Sequence, residues 1–145
     1  MATVHTYLTF DGNCEEAFNF YKSVFGGEFT YIGKFGEMPN EEGFPVLEAD
    51  KNKIMHVSLP IGNTVLMGSD TGGECGPTFM QGNNFSISIN AESKEEADKL
   101  FAGISVGGQV IMPMENTFWG AYFGMSTDKF GINWMVNFDV EPQEN

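Results

Sequence analysis

Positive charge is what this sequence has least of. Seven Lys and Arg stand against twenty Asp and Glu in 145 residues, a formal net charge of −13. Phosphate-backbone binding needs a surplus of cations, so nucleic acid is excluded as a partner, and an anionic membrane surface with it. Long apolar runs are missing too: none approaches the ~18 residues of a membrane-spanning helix. The opening MATVHTYLTF has no basic segment before an apolar core, so it does not read as a secretory signal, and the expected location is cytoplasmic. The two cysteines, Cys14 and Cys75, lie far apart with no metal-type spacing and read as free thiols of a reducing compartment. Only two histidines are present, His5 and His56, which limits any imidazole-based chemistry to those positions.

What is present is globular: 41% hydrophobic and 14% aromatic residues, enough to build a core. The organising feature is an internal repeat. Asn13 to Gly27 reads NCEEAFNFYKSVFGG and Ser93 to Gly108 reads SKEEADKLFAGISVGG. In each, a capping residue precedes Glu-Glu-Ala, an apolar stripe follows and a Gly-Gly pair closes the segment. Repetition at this distance predicts two copies of one module of roughly 70 residues.

Alternation supplies the strands. Val4, Thr6, Leu8 and Phe10 share one face of the first strand, and His5, Tyr7 and Thr9 the other. Asn13 and Glu16 have capping-box spacing, and Ala17, Phe20, Tyr21 and Val24 form the predicted buried stripe of the first helix. A second strand is expected over Glu28–Lys34 and a long loop over Phe35–Asp50. Lys53–Ile61 and Thr64–Ser69 follow as a hairpin turning at Gly62-Asn63. The order then recurs: strand Asn84–Ala91, helix Ser93–Ile104 with a Ser93/Glu96 capping box burying Ala97, Leu100, Phe101 and Ile104, then strands Gln109–Met114, Trp119–Thr127 and Asn133–Phe138. We therefore expect one domain, 1–145, α+β, of two tandem βαβββ modules. Module one spans about 3–70, a Gly-rich linker 71–83 and module two 84–139. The tail EPQEN is expected to fray.

An ordered series of short motifs runs through this frame. Tyr7-Leu8-Thr9-Phe10 leads to Asp11-Gly12-Asn13 and Glu15-Glu16-Ala17, then Phe20-Tyr21 and Phe25-Gly26. Met55-His56 precedes Leu59, and Ile61-Gly62-Asn63 precedes Val65-Leu66-Met67. Met112-Pro113-Met114, Phe118-Trp119-Gly120, Phe123-Gly124 and Asp128-Lys129-Phe130-Gly131 close on Trp134. From Val4 to Phe138 the chain resembles the vicinal-oxygen-chelate superfamily of glyoxalase I and bleomycin-resistance proteins. It is most similar to the PhnB-like branch, named for a 3-demethylubiquinone-9 3-methyltransferase-like domain. The resemblance implies curved mixed sheets enclosing a pocket, and a homodimer.

Metal-dependent members of that superfamily hold a divalent ion with His and Glu from strands one, four, five and eight. Here His5 meets the first-strand position, but the others fall near Met67, Asn84 or Phe85, and Met135, none of them a ligand. A metal is therefore disfavoured and no cofactor is expected. The remaining route to one joins His5 and His56 with a loop acid such as Glu37, Glu48, Asp70 or Glu115, for a lyase, isomerase or dioxygenase-like reaction. Cys14 lies in the first helical turn, where the dipole favours a thiolate and Glu15 and Glu16 oppose it. Neither a phosphate-cradling glycine motif nor the alternating α/β order of a methyltransferase is present. The favoured reading is a binder of a small organic molecule. Its expected contacts are His5, Tyr7, His56, Ser58, Met67, Ser86, Trp119, Tyr122 and Met135, with Ser88 and Asn137 beside them. Phe118 and Trp134 are expected in the core.

Overall fold

The computed structural model describes residues 2–37, 48–71 and 79–140. Most of the expected 35–50 loop, most of the linker with Cys75, and the EPQEN tail lie outside the described residues. The chain divides into two compact units, Met1–Met80 and Gln81–Asn145.

In the first unit, strand β1 (Thr6–Phe10) leads into helix α1 (Cys14–Phe25), then β2 (Tyr31–Lys34), β3 (Ile54–Ile61) and β4 (Thr64–Asp70). Single turns of 3-10 helix at Phe35–Glu37 and Glu48–Asp50 stand between β2 and β3. The strand order is β1-β4-β3-β2, with β1 parallel to β4 and the remaining pairs antiparallel. The second unit repeats it with β5 (Ile87–Asn90), α2 (Lys94–Ser105), β6 (Gln109–Asn116), β7 (Ala121–Thr127) and β8 (Asn133–Asp139), in the order β5-β8-β7-β6. The fold is α+β, two tandem βαβββ modules, as the repeat predicts. Among the described residues no helix is long and apolar enough to cross a membrane.

Each helix covers one face of its own sheet. Leu8 and Phe10 of β1, Val57 and Leu59 of β3 and Leu66 of β4 are buried on the side of α1. The helix meets them with Cys14, Ala17, Phe18 and Tyr21, spaced i, i+3, i+4 and i+7. The expected stripe is thus turned by part of a step: Phe18 is fully buried, while Phe20 and Val24 are half-buried. The reason lies across the interface at Gly68, where a Cβ would stand 2.6 Å from the Phe18 ring. The missing side chain on β4 is the space that Phe18 fills. In the second unit Ala97, Phe101 and Ile104 are buried as expected, with Leu100 half-buried. There a Cβ on Gly124 would stand 2.9 Å from the Phe101 ring, so the two modules solve the same packing problem with a glycine.

Two buried carboxylates tie the units internally. At the end of β4, Asp70 Oδ1 accepts from the backbone N–H groups of Gly12 and Cys14, and Oδ2 from Ile54. At the end of β7, Asp128 Oδ1 accepts from Phe130 and Ile132, and Oδ2 from Trp134 Nε1. Trp134 is in the core, as expected.

Several expectations are corrected. Strand β4 runs one residue past the expected Ser69, and its last residue, Asp70, caps α1 in place of Asn13, whose side chain makes no cap bond. Asp70 takes the N–H of Cys14 at the first helical position, whereas an Asn13 cap would take that of Glu15 or Glu16. In α2 the cap forms as expected, Ser93 Oγ accepting from Glu96, although Glu96 returns its bond to the N–H of Glu92. Strand β1 starts at Thr6, because Val4 is 92% exposed with nothing to pack against. Phe85 precedes β5 and is half exposed. Phe118 is 97% exposed at the turn between β6 and β7, not in the core.

Candidate functional site

The face of the first sheet turned away from α1 carries His5, Tyr7 and Thr9, then Val65, Met67 and Ser69, then His56, Ser58 and Pro60, then Tyr31 and Gly33. The register aligns Tyr7 with Met67, Met67 with Ser58, and Ser58 with Tyr31, one row across all four strands. Period-two alternation makes this face polar because the other holds the core. Although the chain holds twenty acids, no Asp or Glu stands at any of these positions.

His56 stands one step along β3 from this row, level with Gly33. Its Nδ1 lies 3.3 Å from the Tyr7 hydroxyl, which reaches it from β1, and its Nε2 lies 2.9 Å from Ser58 Oγ. The Tyr7 ring stacks on the imidazole at 5.6 Å between centroids, and Tyr31 flanks it at 5.8 Å. Gly33 pairs with His56 across β2 and β3, and a Cβ there would stand 2.5 Å from the Tyr31 hydroxyl. The glycine makes room for that ring beside the imidazole. Tyr7 and Tyr31 are each about half exposed, 47% and 49%. Alternation of Tyr31 and Gly33 against Ile32 and Lys34 is the signal in the sequence that places Tyr31 on this face, beyond the residues expected there.

His5 stands apart from this row. It precedes Thr6, the partner of Leu66, whereas His56 precedes Val57, the partner of Gly68. Four residues of strand rise and two strand spacings therefore separate the histidines, ~13 Å along and ~10 Å across. His5 Nδ1 accepts from the backbone N–H of Val65 at 3.2 Å. The neutral ring then holds its proton on Nε2 and offers no second lone pair. Both nitrogens of His56 are engaged as well. A dication shared by the two would break at least two of these bonds and still need further ligands. Among the described residues no three His, Cys, Asp or Glu converge as a metal group.

The second sheet has its own open face, with Ser88 and Met125 flanking Met135 in register and Phe123 opposite Asn137. Ser86 is exposed just before β5. Trp119, 56% exposed, lies edge-on to Phe118 at 5.0 Å and near Phe123 at 6.2 Å. Tyr122 does not join them. Strand parity turns it to the helix side, packed on the cluster of Ala97, Phe101 and Val136, with its hydroxyl donating to Asp98 and Lys94 over its ring. The hydrogen bond to Asp98, with some burial, raises the Tyr122 pKa above the usual phenol range. Cys14 is buried at the start of α1, and burial, with Asp70 and Glu15 adding to it, pushes its thiol far up despite the helix dipole.

A sheet of four strands covered by one helix and duplicated in tandem is the architecture of the glyoxalase/bleomycin-resistance class. A glyoxalase/bleomycin resistance protein/dioxygenase family enzyme of Burkholderia phytofirmans shares it, with a TM-score of 0.58 over 92% of this chain and 97% of that one at 16% identity. Residues 2–137 match the family described as 3-demethylubiquinone-9 3-methyltransferase, and the chain belongs to that family. It is 31% identical to protein YjdN of Escherichia coli over 137 residues, 90% of this chain and 91% of the relative. Among solved structures it is similar to protein PA1353 of Pseudomonas aeruginosa, 41% identical with a TM-score of 0.82 over 96% and 98% of the two chains. A PhnB protein of Bacillus cereus gives 25% identity and a TM-score of 0.73 over 94% and 99%.

Proposed function

We propose that this protein binds a small organic molecule on the open face of its first sheet, without a divalent ion. The observation that carries the reading is the hydrogen-bonded line Tyr7–His56–Ser58, with Tyr31 on its other flank and Met67 beneath it. Half-exposed aromatic rings supply stacking area at small entropic cost, and the imidazole and hydroxyls supply directional polar contacts. Met67 is a flexible thioether that fits varied apolar shapes. His5 remains a further candidate contact on this sheet; Ser86, Trp119 and Met135 belong to the second unit.

Neither module has the parallel α/β order with a glycine-rich turn after its first strand that methyl transfer from a nucleoside cofactor commonly uses, so the family's description does not guide the choice of ligand. The metal-dependent alternative draws no support from two histidines held apart with their nitrogens engaged. The homodimer and the cytoplasmic location belong to the same reading. The first is favoured by exposed Val110, Ile111 and Met112 on β6, an edge strand of its sheet.

A thermal-shift screen of small aromatic compounds tests the reading. Compounds that stabilise the wild-type protein should lose most of that effect in Tyr7→Phe and His56→Gln. Stabilisation that survives in both variants would move the site elsewhere.

A further inference from the structure

The hydrogen-bond partners of the two histidines differ in a way that specifies the ligand. His5 Nδ1 accepts from a backbone N–H, so a second ring proton costs it that bond. His56 is bonded at both nitrogens to hydroxyls, those of Tyr7 and Ser58. A hydroxyl donates or accepts by rotating. The doubly protonated His56 ring therefore keeps both partners, donating from both nitrogens. Both hydroxyl hydrogens are then free to point away from it. In the neutral ring one of those hydrogens is used on the imidazole itself. Protonation thus converts the line into two outward O–H donors beside a positive ring.

Among the described residues, the groups facing His56 bring that charge no carboxylate partner. Tyr7 and Thr9 face it from β1, Met67 and Ser69 from β4, Ser58 from β3, and Tyr31 and Gly33 from β2. The titratable ones are the two phenols, and no carboxylate is among them. At the nearby end of the sheet Lys53 and Asp50 are paired with each other at 2.9 Å. Among the described residues no carboxylate faces the ring, so an anionic ligand meets no competing counter-charge there.

Building on the ligand-binding reading above, we propose that the first sheet takes an aromatic molecule carrying one acidic oxygen, and that His56 takes up a proton as it binds. The ring of the ligand lies against Tyr7 and Tyr31, and its carboxylate or phenolate oxygen accepts from the hydroxyl of Tyr7, which is more exposed than Ser58. Linkage makes the coupling reciprocal: the bound anion favours the proton, and the proton favours the anion.

The probes are 2-naphthoate and 2-naphthamide, matched in size and differing in the acidic oxygen. Calorimetric titrations run between pH 6 and 9, in buffers of different ionisation enthalpy. 2-Naphthoate is expected to bind with uptake of about one proton. Its affinity should fall as pH rises, by about tenfold per pH unit where one proton is taken up. 2-Naphthamide should bind with no proton uptake and a flat profile, and His56→Gln should flatten the profile for 2-naphthoate. A second readout needs no variant at His56. In His5→Gln protein the one remaining imidazole is followed by proton NMR, and 2-naphthoate should move its titration to higher pH. Equal, pH-independent binding of both probes would overturn the coupling and leave the ligand-binding reading standing. Proton uptake that persists in His56→Gln would overturn the assignment to His56. Binding of neither probe at millimolar concentration would overturn the aromatic-acid assignment and leave the ligand-binding reading to the thermal-shift screen.

Discussion

Asp70, the last residue of β4, accepts a hydrogen bond at 2.9 Å from the backbone N–H of Cys14, the first residue of α1, fifty-six positions earlier. The same carboxylate holds Gly12 and Ile54. One side chain therefore joins the entry of the helix, the start of β3 and the end of β4. Asp70→Ala leaves three backbone donors without it in a buried place. At ~1–3 kcal/mol for each buried group left unsatisfied, the expected loss is about 3 kcal/mol or more, read as the midpoint of urea unfolding. A change below about 1 kcal/mol would mean that water replaces the carboxylate.

Gly68 and Phe18 form a complementary pair. Gly68→Ala brings a methyl group to 2.6 Å from the Phe18 ring and 2.9 Å from the Leu8 carbonyl, and should destabilise by about 1–3 kcal/mol through overpacking. Phe18→Ala should cost about 3–5 kcal/mol. If the space is shared as described, the double variant should be less destabilised than the sum, which a double-mutant cycle in urea measures directly.

The Tyr122 pKa is raised in the folded state above that of an ordinary phenol. A group raised on folding stabilises below its unfolded pKa and loses that contribution as pH rises through the folded one. The contribution should be fully present at neutral pH and disappear above about pH 10. Asp98→Ala should lower the phenol's titration point, followed by absorbance at 295 nm. The melting-temperature gap between it and wild type should narrow at high pH. A gap constant to pH 11 would detach Tyr122 from Asp98.

Cys14 is buried with its thiol pushed up, so it should resist alkylation by iodoacetamide at pH 8 until the protein is unfolded. Mass mapping of the modified peptide distinguishes it from Cys75. Rapid labelling of Cys14 in the native protein would show that the helix start opens.

Chelation should have no effect on stability. With His5 engaged by Val65 and His56 by two hydroxyls, EDTA is expected to leave the melting temperature unchanged. Added zinc should stabilise the protein no more in wild type than in His5→Ala. Near-stoichiometric metal lost with His5 would restore the metal-dependent alternative.

The sequence by itself determined the duplicated module, the order of its elements and the face on which Tyr7, His56 and Ser58 lie. Those follow from local periodicity: a helix repeats every 3.6 residues and a strand every two, and the core selects one parity. Strand ends at Val4 and Phe85, the rotation of α1 toward Phe18, and the cap that Asp70 supplies were decided only by the tertiary structure. Each depends on a neighbour distant in sequence: an absent packing partner, a glycine on β4, a carboxylate supplied by the strand beside β1. The separation of the two histidines belongs there as well. Alternation places them on one face, but only the register of β1 on β4 and of β4 on β3 says how far along that face each one stands.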